Sequence, residues 1–374
     1  MKIEKFFKII NSEFYAGVPD SQLKPLCDYL IDRYGIDSKH HIIAANEGNA
    51  VALAAGYNLS TKKIPVVYMQ NSGQGNTINP ITSLLNDNVY SIPVVFIIGW
   101  RGEPNTKDEP QHIYQGKVTL KILNEMNISY FVVSKETTID ELQKKMYKFN
   151  KLLRAGKSVS FVIKKDALIY NKKIEYKNDN LMKREDIIKH ILKYSKTDPV
   201  ISTTGKTSRE LFEIRNINKQ EHKYDFLTIG SMGHCSSIAL SIAVNKPNTK
   251  IWCIEGDGSA LMHLGAMAVI GANNPKNLVH IVINNFSHES VGGMPTVAKN
   301  ISFTTIAKGC GYKKIIKISS FEDIDEKLKY AKLSKELTFV EILSAIGSRH
   351  NLGRPTLSTI ENKKCFMNYI QNLK

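Results

Sequence analysis

The chain has 374 residues, 42% hydrophobic and 23% charged, the balance of an ordinary globular enzyme with room for two domain cores. No apolar run approaches the ~18 residues of a membrane span, and the first ten residues, MKIEKFFKII, mix acid and lysine where a signal peptide would be apolar, so a cytoplasmic protein with no membrane partner is expected. Five scattered cysteines, none in CxxC spacing, indicate neither a disulfide framework nor zinc, and the net charge of +16 comes mainly from dispersed lysines, which argues against a nucleic-acid partner and suits the steering of small anions.

Strands and helical stretches alternate from the amino terminus. Runs rich in β-branched and aromatic residues at 14–18, 42–46, 66–70, 93–100, 130–133 and 159–163 predict strands. The helical segments between them make this a doubly wound parallel sheet. Residues 166–184, rich in lysine and asparagine with little periodicity, predict a linker between a first domain over 1–165 and a second over 185–374. Further runs near Val200, Phe226, Trp252, Val279, Ile315 and Phe339 predict a second sheet of similar size. The fold class is α/β, with two doubly wound parallel-sheet domains.

Open α/β sheets bind ligands beyond the carboxyl ends of their strands, and three loops of the first half fall there. Asp20 and Ser21 follow the first strand, where Asp20 either caps the next helix or handles protons. Glu47 opens the apolar helix AVALAAG. That helix is expected to be fully buried, so a carboxyl at its mouth would be partly desolvated and more easily protonated. The loop of Asn71, Ser72, Gly73 and Gln74 suits close backbone approach to a ligand. Residues 101–116, RGEPNTKDEPQHIYQG, predict a polar rim or lid, in which His112, beside Asp108, Glu109 and Gln111, is an acid/base candidate.

In the second half, residues 202–207 look briefly like a P-loop but carry Val200 where its first glycine belongs. GSMGH, with Gly230 and Met232, is a glycine-rich strand end. Residues 250–285 predict strand, helix over 259–272, and strand, a right-handed unit that sets Gly256, Asp257 and Gly258 beside Asn284 and Asn285. Leu261 replaces the third glycine of a dinucleotide fingerprint, so a nicotinamide cofactor is not indicated. A glycine turn at a helix start suits phosphate, yet Asp257 would repel a diphosphate unless a cation lay between them. Asp257, an asparagine side-chain carbonyl, a backbone carbonyl just beyond it and phosphate oxygens would suit Mg²⁺. In the tail, GSRHNLGRP carries Arg349 and Arg354, whose forked guanidiniums match phosphonate or carboxylate groups.

Taken together, FYAGVPDSQLKPLCDYL, AANEGNAVALAAGY, YMQNSGQGN, GWRGEP, DEPQHIYQG, GSMGH, EGDGS, NN, SVGGMPT and GSRHNLGRP resemble the thiamine-diphosphate (ThDP)-dependent 2-oxo acid decarboxylases. The resemblance implies a pyrimidine-binding first domain and a diphosphate-binding second domain, with no middle domain. It implies decarboxylation of a small anionic 2-oxo acid, 3-phosphonopyruvate in phosphonate biosynthesis, with sulfopyruvate or another 3-substituted pyruvate as the alternative. By the same resemblance Glu47 hydrogen-bonds the pyrimidine ring, the Gly230 carbonyl holds its amine, and Met232 is the apolar wedge that bends the cofactor. Asn71, Ser72, Gly73, Gly256, Gly258 and Ser259 complete the cofactor contacts. Asp257, Asn285 and the backbone carbonyl of Ser287 ligate Mg²⁺. Asp20 and His112 handle protons, and Ser21, Gln74, His288, Arg349 and Arg354 are substrate candidates. Glu47 and Asp257 fall on separate sheets, so a homodimer or higher homo-oligomer with active sites between chains is expected.

Overall fold

The computed structural model describes residues 1–373 and divides into two compact units, Met1–Glu175 and Tyr176–Lys374. In the first unit β1 (Tyr15–Gly17), β2 (His41–Ile43), β3 (Val66–Gln70), β4 (Val95–Gly99), β5 (Ser129–Val133) and β6 (Val159–Ile163) form one parallel sheet in the order β2-β1-β3-β4-β6-β5. The residues of β4 and β6 are buried without exception, as expected of parallel strands covered on both faces. From β2-β1 the winding turns outward to β3 and β4. The switch point therefore lies between β1 and β3, and the loops after them are where a ligand belongs.

The second unit repeats the plan. The strands β7 (Val200–Ser202), β8 (Asp225–Leu227), β9 (Ile251–Gly256) and β10 (Leu278–Asn284) are followed by a short hairpin of β11 (Ser287–His288) and β12 (Met294–Pro295). With β13 (Lys314–Ile318) and β14 (Thr338–Leu343), the main sheet runs β13-β14-β10-β9-β7-β8, all parallel, and its switch point lies between β7 and β9. Fully buried Trp252, Val279, Ile281 and Val340 lie at the centre of its core.

Four expectations differ in detail. The helix Glu47–Thr61 is buried only along the face carrying Ala50, Val51, Ala54 and Ala55, while Ala52, Leu53 and Gly56 face outward, because one sheet can cover only one side of it. The helix expected over 259–272 is two, Asp257–Met262 and Gly265–Asn273, broken at His263, whose ring stacks on His234 at 4.2 Å. The polar segment 101–116 is a loop only as far as Glu109, and Pro110, which favours a helix start, opens the helix Pro110–Glu125. The segment expected to be a linker holds no helix or strand before Arg184, yet it is fastened down. The N–H of Ile169 bonds to the Met1 carbonyl at 2.9 Å in the first unit, and Asn178 donates to the Asn285 and Ser344 carbonyls at 3.0 Å in the second.

Candidate active site

In the first unit, Glu47 is the first residue of its helix, capped by Asn46, whose side chain accepts the N–H of Asn49 at 2.9 Å. Its carboxyl is buried, and burial pushes its pKa up against the hydrogen bond that Asn76 Nδ2 donates to Oε2 at 2.7 Å. Gly73 makes room for it, since a Cβ there would sit 2.5 Å from Glu47 Cδ. Nearby, the Asn71 amide makes three bonds within the protein. Its Nδ2 donates to the Arg101 carbonyl and Thr119 Oγ1, both at 2.8 Å, and its Oδ1 accepts the Arg101 N–H at 3.1 Å. Gln74 donates to the Thr119 carbonyl at 3.2 Å, but its buried Oε1 has no partner, and neither have Gln111 Oε1 and His112 Nδ1. Buried polar atoms left open in this way are the kind a bound ligand satisfies.

Asp20 follows β1 and is buried, its Oδ2 accepting the N–H groups of Gln22 and Leu23 at 3.2 Å. Burial pushes its carboxyl up to about 6, opposed by those bonds and by Arg101. Arg101 donates to Ser21 Oγ at 3.2 Å and grips Asp108 through Nε at 2.8 Å and Nη2 at 2.5 Å. Burial works against ionisation of Asp108, but Arg101 and the N–H groups of Glu109 and Gly102 hold its carboxyl well below the usual range. His112 is half-buried, and burial with the Arg101 charge lowers its pKa, so its imidazole is neutral at pH 7. A cavity of about 550 Å³ opens beside Ser21, Arg101 and Asp108.

In the second unit, β9 and β10 pair Gly256 with Ile283, which sets Asp257 and Asn285 just beyond two adjacent strand ends. Asp257 opens the short helix and is 2% exposed. Burial pushes its carboxyl up to about 7, against the Thr296 hydroxyl, which donates to Oδ2 at 2.5 Å, and the N–H groups of Asp257, Asn285 and Gly258. Asn285 Oδ1 accepts the Ser287 N–H at 3.0 Å, and its Nδ2 donates to Glu289 Oε2 at 3.0 Å. Ser287 and Pro295 form a non-hydrogen-bonded pair, flanked by the Thr296 N–H that donates to the Phe286 carbonyl at 2.9 Å, so the Ser287 carbonyl points away from the partner strand, and the buried Ser287 Oγ has no partner. The oxygens gathered here are hard donors. A cation would relieve the Asp257 carboxylate of the desolvation that now favours its protonated form.

The glycine loop after β8 closes the other side. Gly230, Ser231 and Gly233 have φ of 66°, 44° and 86°, the left-handed region that glycine enters freely. Met232 reaches Gly258 here: a Cβ on Gly258 would meet Met232 Cε at 3.3 Å and His288 Nδ1 at 3.2 Å. Burial lowers His288 to about 4, which leaves it neutral. Ser259 Oγ donates to Glu255 Oε2 at 2.8 Å and accepts from Thr203 Oγ1 and the Gly233 N–H, both at 3.1 Å, so one donor and two acceptor sites are all used within the protein.

Residues 5–128 match the family model "Thiamine pyrophosphate enzyme, N-terminal TPP binding domain", and residues 203–342 match "Thiamine pyrophosphate enzyme, C-terminal TPP binding domain". The phosphonopyruvate decarboxylase of Streptomyces viridochromogenes is 31% identical over 373 residues, covering 95% of this chain and 90% of that protein. The chain belongs to the ThDP-dependent 2-oxo acid decarboxylases. It is thus a carboxy-lyase, built from the two ThDP-binding domains without a middle one. The sulfopyruvate decarboxylase of Methanosarcina acetivorans is 25% identical over 93% of this chain and 91% of that protein. A sulfopyruvate decarboxylase subunit beta, from Methanocaldococcus jannaschii, is 35% identical over 50% of this chain and 97% of that subunit.

Within this decarboxylase the structure gathers Asp257, Asn285, Ser287, Gly258, Met232 and His288 at one end of the second sheet, and Glu47, Gly73 and Gln74 at one end of the first. The side chain of Ser259, expected to touch the cofactor, is fully committed to protein partners, and both amide hydrogens of Asn71 are likewise used, while Asn71 Oδ1 keeps a second lone pair. Arg349, expected to hold the substrate, pairs instead with Glu185 at 3.0 Å and with Glu213, and a guanidinium shared between two carboxylates has little charge left for a third anion. Arg354 is exposed in the same tail. Sequence reasoning passed over Arg101, Asn76, Thr296 and Glu289, four polar residues that each contact a candidate residue. Arg101 had a signal, as the one arginine directly after a buried strand. Glu289 had little, because apart from Asn285, four residues before it, its partners Lys206, Gly347 and Arg184 lie far away in the chain.

Proposed function

We propose that the chain decarboxylates 3-phosphonopyruvate to phosphonoacetaldehyde and carbon dioxide, with ThDP and Mg²⁺, as a step of phosphonate biosynthesis. The observation that carries this reading is similarity to a phosphonopyruvate decarboxylase along nearly the whole length of both chains. Sulfopyruvate is the second reading, supported by a match of similar span at lower identity.

When bound, ThDP supplies a nucleophilic carbon and a sink for the electron pair that carbon dioxide leaves behind. The residues of the chain do the rest. Asp257, Asn285 and the Ser287 carbonyl would hold Mg²⁺, and Met232 would support the cofactor. Glu47, whose pKa burial raises, is the carboxyl placed to exchange a proton with the pyrimidine ring. Asp20, at about 6, can give or take a proton near neutral pH, and neutral His112 can accept one at Nδ1, which has no protein partner. Gln74 Oε1 faces the same task as a hydrogen-bond acceptor.

The active sites form between two chains of a homodimer or higher homo-oligomer. Supporting this is the outward face of the Glu47 helix, where Ala52, Leu53 and Gly56 stand exposed between the polar Asn49 and Ser60. Comparison of kcat/KM for 3-phosphonopyruvate, 3-sulfopyruvate and pyruvate tests the substrate. At least a tenfold preference for phosphonopyruvate is expected, because a site built for a second anion is left with unpaired charge when that anion is missing. A sulfopyruvate preference would establish the second reading instead.

A further inference from the structure

Glu289 begins the turn Glu289–Val291, and the chemistry proposed above makes no use of it. Its side chain is only 13% exposed and collects donors from four parts of the second unit. Oε2 accepts Asn285 Nδ2 at 3.0 Å and the Gly347 N–H at 2.9 Å, Oε1 accepts Lys206 Nζ at 3.1 Å, and Arg184 Nη1 lies 3.9 Å away. Arg184 is itself clamped onto Glu210 by bonds of 2.7 and 2.8 Å, so two cations meet two carboxylates and no free charge is left over.

The consequence falls on Asn285. An amide can turn over and exchange its oxygen for its nitrogen, but a carboxylate only accepts. Glu289, from one side, and the Ser287 N–H, from the other, therefore fix which end of Asn285 is the NH₂, with Oδ1 accepting the Ser287 N–H at 3.0 Å and keeping a second lone pair. A cation ligand needs that orientation. We propose that Glu289 is a positioning residue that locks the Asn285 amide with its oxygen toward the cation and so sets the cation affinity of the diphosphate loop. The inference rests on the reading of Asn285 as a cation ligand.

The test is titration of the full-length protein with Mn²⁺ in saturating ThDP, following free Mn²⁺ by electron paramagnetic resonance. Glu289→Gln keeps one carbonyl oxygen, which can take both bonds of Oε2, and gives up the Lys206 pair. Glu289→Asp keeps the charge for Lys206 and Arg184 but withdraws the acceptor by one methylene. Glu289→Gln is expected to bind Mn²⁺ within about threefold of the native protein, and Glu289→Asp about tenfold or more weakly. The opposite ranking, with Asp tight and Gln weak, would show that Glu289 serves charge balance alone and would overturn the inference. Equal affinity for native, Gln and Asp proteins would overturn it too. Asn285→Ala separates the two layers. If it binds Mn²⁺ like the native protein, the ligand reading of Asn285 fails. If it binds weakly while Glu289→Asp binds normally, the ligand reading stands and the positioning role falls.

Discussion

Glu47 and Asp20 are both carboxyls that the fold removes from water, and each invites a different measurement. For Glu47→Gln, shape is kept but the dissociable proton is lost, so turnover should fall by about 10²–10⁴-fold. Thermal stability should hold or rise, because a carboxyl whose charged form burial opposes is replaced by an amide that has no charged form. Turnover within tenfold of native would remove Glu47 from proton handling. For Asp20, the raised pKa means that the folded chain binds more protons than the unfolded chain between pH 4 and 6. Stability contributed by this residue is then present at low pH and lost as pH rises through that window, by about 3 kcal/mol in all. Asp20→Asn should abolish that part of the slope, which denaturant unfolding at pH 4.5 and pH 7 can read. An unchanged slope would mean that Asp20 is not the titrating group.

At the scale of elements, Gly73 shows how closely the loop after β3 packs on the helix mouth. Gly73→Ala places a methyl against the Glu47 carboxyl, so turnover should drop at least tenfold while Mn²⁺ and ThDP binding to the second unit stays near native. Equal loss of both would mean that the whole unit is disturbed. The elements themselves were largely legible. β3 and β6 run over the expected residues, because β-branched and aromatic residues dominate each, between Pro65 and Asn71 and between Ser158 and Lys164. β2 stops at Ile43, three residues early, since Ala44 to Asn46 lead into the helix cap at Asn46. That Asp257 and Asn285 would end adjacent strands followed from the handedness of the unit joining them. The partners of Arg349 were not legible. Glu185 and Glu213 stand more than 130 residues before it, and no local pattern reports a contact made only by folding.

At the scale of the molecule, Glu47 belongs to one unit and Asp257 to the other, so a cofactor that needs both draws on two separately built sheets. If each site joins the first unit of one chain to the second unit of its partner, Glu47→Gln and Asp257→Ala should complement. Each variant is inactive alone, but a mixed dimer holds one site with both defects and one with neither. Purified mixed dimers should recover about half of native activity per dimer. Mixed dimers as inactive as their parents would place each site within a single chain.

The substrate and reaction are tested together by incubating the protein, ThDP and Mg²⁺ with phosphonopyruvate labelled with carbon-13 at its carboxyl, and following carbon and phosphorus by NMR. The account predicts release of labelled carbon dioxide in step with the appearance of phosphonoacetaldehyde, both requiring ThDP. Intact phosphonopyruvate after many hours, under conditions in which sulfopyruvate loses its carboxyl, would contradict it.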